Sequence, residues 1–159
     1  MVAPLALHCS RTYPVHVEEA FDTVLTTPLE SIFNRRHGPI PAVRATEGAD
    51  GEVWGRAGQL RTIRLADGGS MREELISVER PGAFTYTLRD VTGPLKPLAS
   101  HVDGRWSFTV AGTGTRVGWQ WTMHPRSRAV SPVLPIFARL WRGLAVQALQ
   151  RLEELLVPE

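Results

Sequence analysis

Residues 106–123 read WSFTVAGTGTRVGWQWTM. Trp106, Phe108 and Val110 alternate with polar residues, Gly112-Thr113-Gly114 makes a turn, and Val117, Trp119, Trp121 and Met123 resume the alternation. Side chains one residue apart on a strand point to opposite faces of a sheet, so this stretch is a hairpin with one apolar face. The same period of two runs from about Val53 to Met123, broken by turns at Asp67-Gly68-Gly69 and Pro81-Gly82. Near Pro135 it gives way to a period of 3.6. An antiparallel sheet with one apolar face must cover that face, and a terminal helix of about 22 residues, ~33 Å at 1.5 Å per residue, is long enough to lie along it. One helix rarely fills a wide curved sheet, so the order of elements predicts a pocket for something small and largely apolar.

Upstream, Leu7 to Tyr13 reads as a first strand, and Val17, Ala20, Phe21, Val24 and Leu25 share one face of an amphipathic helix. Thr27-Pro28-Leu29-Glu30 has the form of a capping box, with Thr27 at the N-cap and Glu30 at N3, opening a short second helix through Leu29, Ile32 and Phe33. Gly38-Pro39 and Pro41 end it, and strands follow from Val43, with a turn at Gly48 to Gly51. Two longer loops, Thr92 to Ser100 and Pro125 to Pro132, are placed to border a pocket mouth. In the last helix Ile136, Phe137, Leu140, Trp141, Leu144, Ala148, Leu152 and Leu155 form one broad face, opposite Arg139, Arg142, Gln150 and Glu153. No repeat or linker interrupts this pattern, so residues 1–159 read as one domain.

With 159 residues, 43% hydrophobic and 21% charged, the chain is long enough for a sizeable core. The formal charge is +2, and all basic side chains except Lys96 are arginines scattered without a block, the codon bias of a GC-rich genome and not a nucleic-acid footprint. The single cysteine, Cys9, excludes an internal disulfide, and no apolar run reaches the ~18 residues of a membrane span. The first residues lack the charged region of a signal peptide, so a cytoplasmic protein without integral membrane association is expected. The sequence leaves the oligomeric state open.

The alternation also assigns faces. Around Asp67 the odd positions Ile63, Leu65, Met71 and Leu75 point inward, and the same face carries Gln59, Arg61 and Glu73, whereas Arg64, Arg72 and Glu74 fall on the solvent side. Later strands put Phe84, Tyr86 and Leu88, then Trp106, Phe108 and Val110, then Val117, Trp119, Trp121 and Met123 inside. Four of the five tryptophans, counting Trp141, converge on one interior. The set is either plain core or the wall of a pocket. Arg61 and Glu73 face each other across the hairpin, as a structural ion pair or as a polar anchor for a ligand head group.

The element order, with Gly58-Gln59-Leu60-Arg61, Asp67-Gly68 followed by Glu73, Gly104-Arg105-Trp106, and Gly114-Thr115-Arg116-Val117 before Trp119 and Trp121, resembles the START-like superfamily. More narrowly it is similar to the bacterial polyketide cyclase/dehydrase and lipid-transport group, the SRPBCC proteins. The resemblance covers nearly the whole chain and rests on turn glycines and strand patterns. It implies an α+β helix-grip fold: a seven-stranded antiparallel sheet wrapped around the long C-terminal helix, with a deep hydrophobic cavity between them. It also implies one of the family's activities, which include lipid carriage, hormone binding, aromatase/cyclase chemistry and co-chaperone function.

Other chemistries find little support. There is no Gly-x-Ser-x-Gly elbow, and Cys9 lies in an edge-like strand, where a small buried hydrophobe is the expected role. His8, His16, His37, His101 and His124 lack metal-ligand spacing, so neither metal nor cofactor is expected. Gly112-x-Gly114 is a hairpin turn and not a phosphate cradle, and Arg35-Arg36-His37 complements a helix C-terminus. The leading expectation is binding, or carriage, of a lipid-like or polycyclic aromatic molecule. Trp106, Phe108, Trp119, Trp121, Phe137 and Trp141 would be its walls, and Gln59, Arg61, Glu73 and Tyr86 would orient its polar end. The alternative is an aromatase/cyclase in which Glu73 is the base and Arg61 or Tyr86 the electrophile for aldol condensation and dehydration. A co-chaperone-like domain is the third, and no separate partner-binding segment supports it.

Overall fold

A computed structural model describes residues 3–48 and 53–158. Strand β1 (Leu5–Tyr13) is followed by helices α1 (Val17–Thr26) and α2 (Leu29–Ile32), and then by strands β2 (Val43–Gly48), β3 (Leu60–Leu65), β4 (Ser70–Glu79), β5 (Ala83–Arg89), β6 (Ala99–Ala111) and β7 (Gly114–Pro125). A 3-10 segment (Arg128–Val133) leads into α3 (Leu134–Leu156). The seven strands form one sheet in the order β1-β7-β6-β5-β4-β3-β2. Every neighbouring pair is antiparallel. Helices α1 and α2 carry the chain from one edge of the sheet to the other, and β2 to β7 then return as successive hairpins to meet β1.

This is the helix-grip architecture. The inner face buries Ile63, Leu65, Met71, Leu75, Phe84, Leu88, Val117 and Met123 against Phe137, Trp141, Leu144, Ala148 and Leu152 of α3. Tyr13, buried on β1, fixes the depth of the helix by donating its hydroxyl to the Leu149 carbonyl at 2.5 Å, and Arg11 pairs with Glu153 outside it at 2.6 Å. By length and composition alone Arg128–Leu156 passes as a membrane-spanning run, which the sequence reading denied. Core helices pass the same test, and here the apolar stripe lies buried against the sheet.

Several local expectations fail for physical reasons. Thr27 does not cap α2. Its hydroxyl donates backward to the Thr23 carbonyl at 2.5 Å, Pro28 takes the N-cap position without a side-chain cap, and Glu30 instead accepts from the Thr46 hydroxyl on β2. With α2 only four residues long, the tie to β2 replaces the reciprocal bonds of a capping box. Ile136 is exposed because it lies in the first turn of α3, and Val110 is exposed at the β6 end of the last hairpin. Most of the expected turn at Gly48 to Gly51 lies outside the described residues.

Candidate functional site

The β3–β4 register sets Arg61 opposite Glu73, two residues from the apolar pair Ile63 and Met71. Both charged side chains therefore enter the interior, where they lie 9% and 4% exposed with Arg61 Nε 2.6 Å from Glu73 Oε1. The guanidinium also lies over the Trp54 ring, 3.9 Å from its centroid. The period of two expected from about Val53 sets in only at Leu60, after Gly55 and Gly58, so it gave Trp54 no face. Stacking covers the apolar face of the guanidinium and leaves its edge for hydrogen bonds, which lowers the cost of desolvating it.

Tyr86 of β5 sits opposite Gly104 of β6, which in turn sits opposite Trp121 of β7. A Cβ at position 104 would fall 2.0 Å from Tyr86 Cζ, so only glycine lets the ring lie across β6 toward β7. There the Tyr86 oxygen accepts from Trp119 Nε1 at 2.8 Å and from Trp121 Nε1 at 3.0 Å. With both lone pairs taken, the hydroxyl keeps its proton as a donor. Trp119 is the hub of the aromatic cluster: Trp106 stacks on it at 5.3 Å, Trp141 lies at 4.7 Å and Phe33 at 5.1 Å.

These groups wall a cavity between the sheet, α1, α2 and α3. Arg61, Glu73 and Tyr86 form its polar patch, on three adjacent strands, and the remaining walls are apolar, among them Trp106, Trp119, Trp121, Ile63 and Leu144. The void is about 800 Å³ with its mouth included, of which about 80 Å³ is reachable by the centre of a water molecule. The half-buried Leu29, Phe33, Pro41, Val43 and Leu95 rim it. Leu95 comes from the Thr92 to Ser100 loop, while the loop after Pro125 contributes no wall. Gln147 donates to the Arg35 carbonyl at 3.0 Å and Arg151 to the Ser31 carbonyl at 2.9 Å, so α3 holds the rim segment in place.

Four of the expected site residues stand elsewhere. Gln59 precedes β3 and turns into the loop before it, accepting from the backbone N–H groups of Gly55 and Arg56 at 2.7 Å each. Its backbone still meets β4, the carbonyl accepting from the Leu75 N–H at 3.0 Å, but the loop N–H groups hold its side chain away from the cavity. Phe108 packs on Phe21 at 5.2 Å and Phe84 at 6.0 Å, as core under α1. Phe137 lines a separate small void with Met123 and Val102. Trp141, fully buried, buttresses Trp119 from behind, and its indole N–H has no partner among the described residues, a cost of about 1–3 kcal/mol that the stacking must offset.

The family model for polyketide cyclase/dehydrase and lipid transport proteins matches residues 6–157. The chain belongs to this family. Among solved structures it resembles Ara h 8.0201, with 15% identity, 98% of this chain and 99% of that one covered, and a TM-score of 0.71. The major latex-like protein 151 of Panax ginseng gives 15% identity, coverage of 99% and 100%, and a TM-score of 0.71. XoxI of Bacillus cereus gives 13% identity, 96% of each chain and a TM-score of 0.69. At these identities the likeness is one of fold. Among curated proteins none matches.

Membership of this family supports ligand binding in general terms. The chemistry available is set by the polar patch. Burial pushes the Glu73 carboxyl above its ordinary 4.5, and the Arg61 guanidinium offsets only part of that. Burial likewise raises the Tyr86 phenol, against the two indole N–H bonds, so its proton stays on. A carboxyl whose folded pKa is raised stabilises the fold least where it must ionise, so its contribution falls as pH rises from about 4.5 through the folded value. Glu73→Gln lacks this slope. Urea unfolding of both proteins at pH 5 and pH 8 should show the parent's advantage over the variant shrinking toward pH 8; a constant or growing advantage would contradict the raised value.

Proposed function

We propose that the chain binds a small hydrophobic molecule, lipid-like or polycyclic aromatic, in the cavity between the sheet and α3. The observation that carries this reading is the segregation of the walls: Arg61, Glu73 and Tyr86 are the polar side chains of an otherwise apolar lining. Such a surface suits a ligand with an extended apolar body and a polar end that accepts a hydrogen bond, a carbonyl for example, from the Tyr86 hydroxyl or the guanidinium edge. The indoles of Trp106, Trp119 and Trp121 in the lining favour a flat body, because aromatic rings pair best offset or edge-on at about 4.5–7 Å. Carriage is the simplest use of the site.

The raised Glu73 carboxyl favours a second reading, a cyclase/dehydrase. A carboxylate of raised pKa takes a proton from the carbon beside a carbonyl more readily, and the Tyr86 hydroxyl would stabilise the enolate oxygen that results. Mass spectrometry of the purified protein, native and then denaturing, separates the two. A stoichiometric apolar adduct, retained in the first and released unchanged in the second, supports carriage. Release of a poly-ketone probe that has lost water supports the enzyme. If neither endogenous adduct nor added apolar probe is retained, the binding reading falls.

A further inference from the structure

On the solvent face of the sheet, opposite the cavity, the β6–β7 register assembles a ligand set that spacing in the sequence hides. His101 stands directly across from His124, and Asp103 lies diagonally from it, across from Thr122. One nitrogen from each histidine and one carboxylate oxygen lie within 4.8 Å of one another. We propose that His101, Asp103 and His124 bind a divalent transition-metal ion such as zinc.

The surroundings aim these atoms. A β-bulge between Ala99 and His101 re-aims the strand and brings Ser100 beside its neighbour's ring. The Ser100 hydroxyl lies 3.2 Å from the His124 carbonyl, to which it donates, and 3.0 Å from His101 Nδ1. Having spent its proton on the carbonyl, the hydroxyl must accept from Nδ1–H, which leaves His101 Nε2 with a free lone pair. Asp103 is held in the same way: Thr87 donates to Oδ1 at 3.0 Å, and Oδ2 faces His124 Nε2 at 2.9 Å. Outer partners of this kind orient ligands in metal sites.

The two imidazoles are stacked with centroids 4.0 Å apart and planes 12° from parallel, so their in-plane lone pairs run side by side and one ring must tilt for both to meet the ion. Zinc bonds of ~2.0–2.2 Å place tetrahedral ligand atoms roughly 3.3 Å apart, so the widest pair must close by at most about 1.5 Å, within reach of a side-chain rotation. His124 presents its Nε2 lone pair by shifting its proton to Nδ1. Two imidazoles with one carboxylate suit zinc, nickel or copper, whereas calcium and magnesium need more oxygens than this site offers. The nearby Arg126 is engaged elsewhere, donating to the Lys96 carbonyl at 2.6 Å and the Ala99 carbonyl at 3.0 Å. Asp103 is exposed and both histidines are half-buried, so the remaining positions on the metal are open to water.

The test is a zinc chloride titration of the untagged, EDTA-treated chain, followed by calorimetry and by the histidine ring resonances in NMR spectra. One equivalent should bind, with the His101 and His124 rings shifting and those of His8, His16 and His37 unmoved. His101→Ala and His124→Ala should each weaken binding at least tenfold. Ser100→Ala, which removes no ligand, should weaken it roughly 10–100-fold. All three positions are at the surface, and an unchanged near-ultraviolet circular dichroism spectrum verifies the fold of each variant. The proposal is overturned if zinc does not saturate, or if the His101→Ala/His124→Ala double variant binds it as the parent does. Ring shifts confined to other histidines would overturn it equally, without any variant.

Discussion

Gly104→Ala is expected to destabilise the protein by about 3 kcal/mol or more. Overpacking a core costs about 1–3 kcal/mol, and each buried indole N–H left without its acceptor costs about 1–3 kcal/mol more. The added methyl would fall 2.0 Å from Tyr86 Cζ, so the ring must leave its place across β6, and both bonds from Trp119 and Trp121 go with it. At about 2–4 °C per kcal/mol for a chain of this size, the thermal midpoint should drop by roughly 6–12 °C. The cause is tested by a double-mutant cycle. Tyr86→Ala is costly alone, but once the ring is gone Gly104→Ala should cost little more. Additive losses would mean that glycine serves the strand itself and not the tyrosine, and a loss below ~1 kcal/mol for the single variant would sink the account.

The second large effect separates structure from function at the ion pair. Arg61→Met leaves Glu73 buried and unpaired, which should cost about 3–5 kcal/mol at neutral pH. The loss should shrink toward pH 5, because without the guanidinium the carboxyl takes up a proton and stops paying for its charge. Arg61→Met/Glu73→Leu replaces both charges with apolar groups of similar size and should recover most of the stability. If the pair anchors a ligand's polar end, this double variant folds and loses the adduct seen by native mass spectrometry. If it folds and keeps the adduct, the pair is structural only and the polar-anchor part of the proposed function fails.

How far each residue was legible depends on how far its environment is local. Arg61 and Glu73 could be paired on paper because a short hairpin fixes its own register through the turn, and alternation then assigns the face. Gln59 obeyed the same parity and its carbonyl still accepts from the Leu75 N–H, but the N–H groups of the preceding loop draw its side chain back out of the cavity. Thr27 and Glu30 had capping-box spacing, yet four residues of helix beside a strand offered better partners on α1 and β2. Phe108, Phe137 and Trp141 were read correctly as interior. Which of two voids each one faces, or whether it faces either, depends on how α1 and α3 lie on the sheet.

The period of two along the strands, the switch to 3.6 near Pro135 and the turn glycines determined the sheet, its inward face and the covering helix, because each is a property of neighbours within a few residues. Only the tertiary structure decided the position of Gly104 under the Tyr86 ring, the bonds that ring accepts from Trp119 and Trp121, and the shelter of Trp54 over Arg61. It alone brought His101, Asp103 and His124 together. Those juxtapositions arise between strands or loops distant in sequence, at a register that hydrophobic burial and a β-bulge set, and no spacing along the chain encodes them.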